Sequence, residues 1–261
     1  MLTIATSDSG GGAGIQADLK AFAAAGCHGM SALVALTAQN TTAVSDVHRL
    51  PPEFVRAQLD AVFDDIGVDA AKTGMLFSQE LIATVAEYLA THRVPLVVDP
   101  VMVASSGAKL LQDDAIDVLV ERLFPLATVV TPNLHEAHAL AARSSQVTDC
   151  YLGRRELAER IHALGAPAVV VTGGHAADAV DHLFDGMRHV EIPVERHDVP
   201  ATHGAGCTHS ATLAAHLARG ATLEEAARLA ADAASEAVRN GLAELGAGEG
   251  PVDVLAVKGA M

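Results

Sequence analysis

The chain has 261 residues, enough for one large α/β domain with a sizeable core. Hydrophobic residues make up 50% of it and aromatic residues only 3%, so Ala, Val, Leu and Ile must build that core. The formal net charge of −15 argues against binding nucleic acid or an anionic membrane, although backbone amides and a metal ion can still hold a phosphate locally.

The cysteines and the first residues of the chain indicate a cellular compartment. The 3 cysteines are widely spaced and form no CxxC pair, which argues against a disulfide framework and a zinc knuckle. Met1 is not followed by a basic region and a long apolar segment, and no apolar run approaches the roughly 18 residues of a membrane span. We therefore predict a cytoplasmic protein in a reducing compartment.

Short apolar runs alternate with amphipathic helical patterns along most of the chain. The predicted strands are Leu2–Ala5, Ser31–Leu36, Val68–Thr73, Pro95–Val98, Ala127–Thr131 and Ala168–Thr172. The predicted helices between them are Ala13–Ala25, Pro52–Asp65, Ser78–His92, Asp113–Leu123 and Arg154–Leu164. This order predicts a mostly parallel sheet covered on both faces, in a single domain over residues 1–261.

The pattern changes in the last third of the chain. Asp185-Gly186 lies between two apolar runs, Val180–Phe184 and His189–Ile192, which predicts an antiparallel hairpin at one sheet edge. Two helices should follow: the first from Gly204 to Ala218, the second from Thr222 to Asn240.

Glu225 completes a capping box with Thr222 at the start of the second of these helices. Gly220 and Gly241 follow the two helices as stop signals. The tail from Ala243 to Met261 is rich in glycine and predicts no regular element.

Two glycine-rich loops, each leading into a helical stretch, are the most informative motifs. The first, Gly10-Gly11-Gly12-Ala13-Gly14, follows a strand, which raises the possibility of a dinucleotide site. That motif needs a third glycine where Ile15 stands and an acidic residue near Gln39, and neither is present. A structural turn and a close approach to a ligand both remain open for this loop.

The second loop, Thr202-His203-Gly204-Ala205-Gly206-Cys207-Thr208, is more specific. The amides of Ala205, Gly206 and Cys207 could point at one anion, because free N–H groups at a helix start favour negative charge. A helix N-terminus also lowers the pKa of a thiol, which would make Cys207 a plausible base. The alternative is a buried structural cysteine. His209 lies two residues after Cys207 and would not share its helix face, so a Cys-His pair is disfavoured.

Several other strand ends carry polar or glycine-rich segments. Asn133 can cap a helix together with Glu136, and Glu136 could instead help to hold a hydrated Mg²⁺. Asp99 follows a strand that is apolar throughout. Together with the segments Lys72-Thr73-Gly74-Met75 and Thr172-Gly173-Gly174-His175, it outlines a cleft at the carboxyl edge of the sheet.

This ordered set of motifs resembles the hydroxymethylpyrimidine/phosphomethylpyrimidine kinases of thiamine biosynthesis, within the ribokinase-like superfamily. The resemblance runs from about residue 2 to about residue 240. The matching segments are Ser7 to Asp18, Thr37-Ala38-Gln39-Asn40-Thr41, Lys72-Thr73-Gly74-Met75, Asp99-Pro100-Val101-Met102-Val103, Thr131-Pro132-Asn133-Leu134-His135-Glu136, Gly173-Gly174-His175, and His203 to Thr208.

The resemblance implies a three-layer α/β/α fold and a kinase that uses ATP and Mg²⁺. The substrate would be 4-amino-5-hydroxymethyl-2-methylpyrimidine and then its monophosphate, and relatives are commonly homodimers. The implied pyrimidine pocket comprises Gly11, Gln39, Met75 and Val101, with Asp18 nearby. The implied nucleotide, metal and phosphate groups are Asp99, Asn133, Thr172, Gly173, Gly174 and Glu136. Gly204, Ala205, Gly206 and Cys207 would form the anion hole, with Cys207 as the base.

Some residues depart from that family, and they keep other interpretations open. Ala205 stands where the kinases usually have Thr, as in a cysteine-containing branch of pyridoxal kinases, whereas Gln39 favours the pyrimidine. His209 stands where Leu or Phe is usual, and Ser105 where many relatives have Lys. The alternatives are a pyridoxal kinase and a non-catalytic pyrimidine or vitamer sensor. Ala104–Ala108 and Ala176–Asp178 are candidate flaps over the site.

Overall fold

A computed structural model gives the fold of the protein, and it describes residues 1–102, 111, 113–144, 152–174 and 178–257. The candidate flap Ala104–Ala108, with Ser105, lies outside the described residues. So do Val103, Cys150, His175 and the first two residues of the segment Ala176–Asp178.

Nine strands and eight α-helices alternate along the described part of the chain. The strands are β1 Leu2–Asp8, β2 Met30–Gln39, β3 Val44–Arg49, β4 Ala71–Thr73, β5 Leu96–Val98, β6 Val129–Val130, β7 Val169–Val171, β8 Val180–Phe184 and β9 His189–Pro193. The helices are α1 Gly14–Ala24, α2 Pro52–Ala61, α3 Gln79–Thr91, α4 Asp113–Val118, α5 Leu134–Ser144, α6 Arg154–Ala163, α7 Ala205–Ala218 and α8 Leu223–Arg239.

The described strands form one sheet in the order β3-β2-β1-β4-β5-β6-β7-β8-β9. The six strands from β2 to β7 in this order pair in parallel, and β3, β8 and β9 run antiparallel at the edges. The predicted mostly parallel sheet with an antiparallel hairpin is therefore confirmed. The prediction was incomplete, because β3 makes the opposite edge antiparallel too. Its sequence, Val44–Arg49, is polar and largely exposed, so it lacks the apolar run that marks the other strands.

Helices cover both faces of the sheet, which gives the expected three layers. On one face, α2 to α6 pack through a large cluster that includes Leu59, Val85 and Leu140. On the other, α1, α7 and α8 pack through a smaller, alanine-rich cluster that includes Phe22 and Leu213. Alanine lets α7 and α8 approach each other and the sheet closely, consistent with the scarcity of aromatic residues.

The predicted start of α8 agrees with the structure, because the capping residues could be read from the sequence. Thr222 and Glu225 form the predicted reciprocal capping box at the start of α8. The predicted helices Pro52–Asp65 and Asp113–Leu123 are α-helical at first and then widen into π-helical turns, Val62–Ile66 and Leu119–Leu123. Periodicity near 3.6 residues does not distinguish these turns from an α-helix.

The tail after α8 is more ordered than its glycine content indicated. The Leu242 amide donates to the Pro251 carbonyl, and the Asp253 amide donates to the Ala237 carbonyl. Pro251 also forms a bridge with His203, ahead of α7. The tail therefore holds the segment that leads into α7.

Candidate functional site

A cavity of about 390 Å³ opens at the carboxyl ends of the parallel strands. Each parallel strand contributes residues at or just after its end: Thr6 and Asp8 from β1, Thr37 and Gln39 from β2, Gly74 and Met75 after β4, Asp99 and Val101 after β5, Thr131 and Asn133 after β6, and Thr172 and Gly174 after β7. The first turn of α7 closes one side with Gly204, Ala205, Gly206 and Cys207. The cleft predicted from the strand ends is thus present.

The first glycine-rich loop is organised by Asp8. The Asp8 carboxylate accepts hydrogen bonds from the amides of Gly10, Gly12 and Ala13 at 2.8, 3.0 and 2.9 Å. Burial opposes ionisation of this carboxylate, but the hydrogen bonds from His203 and the amides outweigh it and lower the pKa of Asp8. Because these three amides donate to Asp8, they favour the interpretation of the loop as a structural turn.

The second loop positions the start of α7. Gly204 precedes the helix in the left-handed conformation, with φ of +84°. The amide of Ala205 donates to the Thr202 carbonyl at 3.1 Å, so this predicted anion donor is occupied. Gly206 and Cys207 are in the first helical turn, where amides have no acceptor within the helix. Two of the three predicted amides can therefore face an anion.

The two loops lie against each other although about 190 residues separate them. A Cβ on Gly204 would lie only 1.8 Å from the carbonyl oxygen of Gly12. His203 Nε2 lies 3.3 Å from Asp8 Oδ2. The same nitrogen lies 3.5 Å from the Gln39 amide nitrogen, and Gln39 Oε1 accepts from the Thr37 hydroxyl at 3.1 Å. The contact with His203 thus brings Gln39 beside the second loop. Gln39 is the residue expected to hydrogen bond to the pyrimidine.

Behind the cavity wall lies a buried charge cluster around Lys72. Its ammonium nitrogen lies 2.9 Å from Asp18 and 3.4 Å from Asp99, and none of its side-chain surface is exposed. Thr3 donates to Asp18 at 2.6 Å, and Ser210 Oγ lies 2.9 Å from Asp99. Although burial alone disfavours the charged ammonium, the carboxylates outweigh it and raise the pKa of Lys72.

Asp18 was expected near the pyrimidine pocket, and it lies behind the cavity wall, beside Lys72. Its carboxylate is fully buried and pairs with Lys72 instead of lining the cavity. Gly11 and Gly173 also lie outside the cavity lining, although their neighbours Ala13, Thr172 and Gly174 are part of it. The other expected site residues, including Gln39, Met75, Val101 and Cys207, do line the cavity.

Cys207 borders both the cavity and the charge cluster. The residue keeps part of its surface accessible, but burial of the thiol raises its pKa to about 12. The positive charge of Lys72 and the Gly14 amide act in the opposite direction, whereas the negative charges of Asp18 and Asp99 raise the pKa further. The expected lowering by the helix N-terminus is therefore wrong for the ligand-free protein: desolvation outweighs the helix.

Asn133 and Glu136 form the reciprocal cap predicted for α5. The amide of Asn133 donates to Glu136 at 2.9 Å, and the Glu136 amide donates back to the Asn133 side chain at 2.9 Å. Glu136 is nevertheless part of the cavity wall. Burial first, and then the nearby negative charge of Asp99, raise the pKa of Glu136 to about 8. A buried carboxylate whose charge is disfavoured by a neighbouring carboxylate is a suitable environment for a divalent cation.

Asp8, Lys72 and Ser210 are the important residues to which the sequence assigned no role. Lys72 and Ser210 have carboxylate partners 54 and 111 positions away, which only folding brings together, whereas the amides bound by Asp8 are local. One signal was available: a lysine within a strand that is buried on both sides needs a buried anion. No group of three or more potential metal ligands occurs in the described ranges.

Comparison with known proteins identifies the family. A model of the phosphomethylpyrimidine kinase family matches residues 8–253. The chain belongs to the phosphomethylpyrimidine kinase family. It is 48% identical to a hydroxymethylpyrimidine/phosphomethylpyrimidine kinase of Rhizobium meliloti, over 96% of this chain and 95% of the relative. The resemblance inferred from the ordered motifs is confirmed.

Some relatives of this kinase family are longer proteins. The thiamine biosynthesis bifunctional protein ThiED of Geobacter sulfurreducens is 51% identical over 97% of this chain, which spans only 51% of that protein. The kinase chain thus corresponds to about half of the bifunctional protein.

The solved structures that are similar to this chain include kinases of two kinds, pyridoxal kinases and phosphomethylpyrimidine kinases. An ADP complex of Bacillus subtilis pyridoxal kinase superposes with a TM-score of 0.88 at 40% identity, covering 98% of this chain and 97% of that one. Phosphomethylpyrimidine kinase of Clostridium difficile gives a TM-score of 0.75 at 39% identity, covering 88% and 95%. The expected ribokinase-like fold is thereby confirmed.

Proposed function

We propose that this kinase transfers the γ-phosphoryl group of ATP to the hydroxymethyl group of 4-amino-5-hydroxymethyl-2-methylpyrimidine, and then phosphorylates the monophosphate. One observation carries the proposal: Gln39, Met75 and Val101 share a cavity with the first turn of α7. A glutamine amide offers both a donor and an acceptor, which suits the edge of an aminopyrimidine.

The start of α7 supplies the electrostatic part of the proposed reaction. Phosphoryl transfer depends on positioning and charge stabilisation more than on covalent chemistry. The amides of Gly206 and Cys207 would stabilise the phosphoryl oxygens, with Gly204 setting the loop geometry. Ala205 contributes the loop backbone, although its amide is already bonded.

Cys207 would accept the hydroxyl proton late in the transfer. The thiol is protonated in the ligand-free protein at neutral pH, since burial raises its pKa to about 12. Lys72 is the nearby cation that favours the thiolate. We therefore propose Lys72 as the group that supports Cys207 as a base.

The opposite wall of the cavity would hold the nucleotide phosphates and Mg²⁺. Thr172, Gly174 and Asn133 line this side, and Gly173 would act through the backbone of its segment. Glu136 and Asp99 supply the carboxylates near which a hydrated Mg²⁺ fits. Bound there, Mg²⁺ would neutralise phosphate charge. We retain Gly11 and Asp18 only as supports of the pocket, since neither lines it.

Pyridoxal is the second candidate substrate, and two observations favour it. Ala205 matches the loop of the cysteine-containing pyridoxal kinases, and pyridoxal kinases from two organisms superpose with TM-scores of 0.85 to 0.88. The curated relatives at 42% to 51% identity are instead named as kinases of the pyrimidine or as a thiamine biosynthesis protein. The pyrimidine therefore remains the better-supported substrate.

A phosphoryl-transfer assay tests the proposal. Hydroxymethylpyrimidine, its monophosphate and pyridoxal are offered separately with Mg-ATP, and products are separated by chromatography. We expect the pyrimidine diphosphate, with a higher kcat/KM for the pyrimidine than for pyridoxal. Preference for pyridoxal would reverse the substrate assignment, and tight binding without turnover would support the sensor alternative.

The assembly and location of the kinase are further proposals. We propose that residues 1–261 act as one kinase domain, because one sheet connects the described ranges. The family resemblance supports a homodimer, which light scattering after size-exclusion chromatography tests. A cytoplasmic location agrees with the cysteine pattern. In the described ranges, no helix has the length and apolar character needed to cross a membrane.

A further inference from the structure

His209 and Asp181 form a buried pair between α7 and β8. His209 Nε2 lies 3.0 Å from Asp181 Oδ2, and the two side chains are only 5% and 3% exposed. His209 lies on a different face of α7 from Cys207, because two residues that are two positions apart on a helix do not share a face. Both members of the pair line the proposed kinase cavity.

The second oxygen of Asp181 binds the strand end expected to flank the nucleotide. The Gly173 amide donates to Asp181 Oδ1 at 2.8 Å. Gly173 is packed closely, since a Cβ there would lie 2.0 Å from the Val180 carbonyl oxygen. One carboxylate thus joins the first turns of α7 to the segment after β7.

His209 and Arg154 are two basic side chains that lie near the Asp181 carboxylate. A buried carboxylate is costly unless it is paired, and an unpaired one beside a nucleotide would also repel the phosphates. The Arg154 guanidinium hydrogen bonds to Asp178 and also interacts electrostatically with Asp181, whereas the His209 ring makes the 3.0 Å contact with the Asp181 carboxylate. Both ring nitrogens of His209 are buried and have no hydrogen-bond partner in the described ranges, so the 3.0 Å approach to Asp181 is a close contact without hydrogen-bond geometry.

We propose that His209, through Asp181 and the Gly173 amide, is a positioning residue that sets the affinity of the cavity for the nucleotide. The inference rests on the proposed kinase function. It concerns nucleotide binding and not the identity of the phosphoryl acceptor.

The test compares ADP binding by calorimetry among the full-length protein and its His209→Leu, His209→Gln and Asp181→Asn variants. Loss of the 3.0 Å contact that holds the buried Asp181 carboxylate predicts that His209→Leu weakens ADP binding about tenfold. Glutamine can donate an N–H to Asp181, so His209→Gln should recover much of that loss. The control is His216→Leu on the same helix, outside the cavity lining, with an ADP Kd within about twofold of wild type.

Two further readouts separate positioning from a purely structural role. Steady-state kinetics should give a higher KM for ATP in His209→Leu, with the KM for the acceptor nearly unchanged. His209→Leu should also weaken ADP binding less in an Asp181→Asn background than in wild type. An unchanged ADP Kd, a fully additive double variant, or a lower Tm without a change in Kd would each overturn the inference.

The same measurements distinguish this inference from the proposed function. ADP binding is measured without an acceptor, so a wild type that binds ADP but phosphorylates no pyrimidine refutes only the substrate assignment. If His209→Leu does not fold, ADP binding by His209→Gln and Asp181→Asn tests the proposal instead. Near-wild-type ADP binding in Asp181→Asn, which replaces the carboxylate that His209 contacts, would then overturn the proposal.

Discussion

At the scale of single residues, Cys207 is the side chain that touches both the cavity and the buried charges. Cys207→Ala should keep the KM of both substrates within about threefold, because the thiol is a small part of the cavity wall. Its kcat should fall about 100-fold, the range for loss of a general base. Steady-state kinetics with Mg-ATP measures both. Unchanged turnover would remove Cys207 from the mechanism.

The pKa of Cys207 gives a pH dependence of stability with a definite sign. The thiol titrates near 8.5 in an unfolded chain and at about 12 in the folded protein, so between these values the folded state binds more protons. Stability should therefore fall as pH rises above about 8.5, on the order of 1 kcal/mol per pH unit.

Urea denaturation at pH 8 and pH 10 measures this loss, and Cys207→Ala should lack this part of it. Equal pH dependence in the two proteins would show that the thiol is not desolvated as the structure indicates.

Lys72 is the cation on which the buried carboxylates depend. Lys72→Met leaves Asp18 and Asp99 without their ion-pair partner, and breaking a buried pair costs about 3–5 kcal/mol. We expect a corresponding loss in the free energy of unfolding by urea denaturation. Adding Asp18→Asn to Lys72→Met should recover part of the loss, since one uncompensated charge is then removed. A single variant as stable as wild type would contradict the pairing.

At the scale of elements, the loop before α7 contains two glycines with different structural demands. Gly204→Ala would place a Cβ against the Gly12 carbonyl at a positive φ and should reduce both stability and activity. Gly206→Ala meets nothing within 4 Å and should fold normally, with a methyl group that hinders only the anion beside α7.

Circular dichroism melting and kinetics separate these two effects. We expect a lower Tm for Gly204→Ala and a higher KM with unchanged Tm for Gly206→Ala. The opposite assignment of the two phenotypes would show that the loop is not held by its contact with the first loop.

Element prediction from the sequence succeeded where local chemistry decided the structure. The capping box at Thr222 and Glu225 and the turn at Asp185-Gly186 are local, because their donors and acceptors lie within a few residues. Strand β3 and the ordered tail were missed. Both are stabilised by partners distant in sequence, such as β2 for β3 and His203 for the tail.

At the scale of the whole molecule, the tail links α8 to the loop that precedes α7. The His203 amide donates to the Gly250 carbonyl, and the Val252 amide donates to the His203 carbonyl. A chain ending at Ala243 should therefore lose stability and about tenfold or more in kcat/KM, because the start of α7 is no longer fixed. A chain ending at Val257 removes no described residue and serves as the control. Equal activity of both truncated chains would contradict this role of the tail.

The sequence by itself determined the alternation of strands and helices, the edge hairpin, the family and most residues of the cavity wall. These follow from local periodicity, turn and capping chemistry, and motifs at strand ends that a parallel sheet brings to one edge. Only the tertiary structure decided that Asp18 pairs with Lys72 and that Ser210 contacts Asp99. It also decided that burial raises the pKa of Cys207 instead of lowering it. Desolvation and ion pairing depend on which groups surround a side chain in three dimensions, and sequence spacing carries no measure of either.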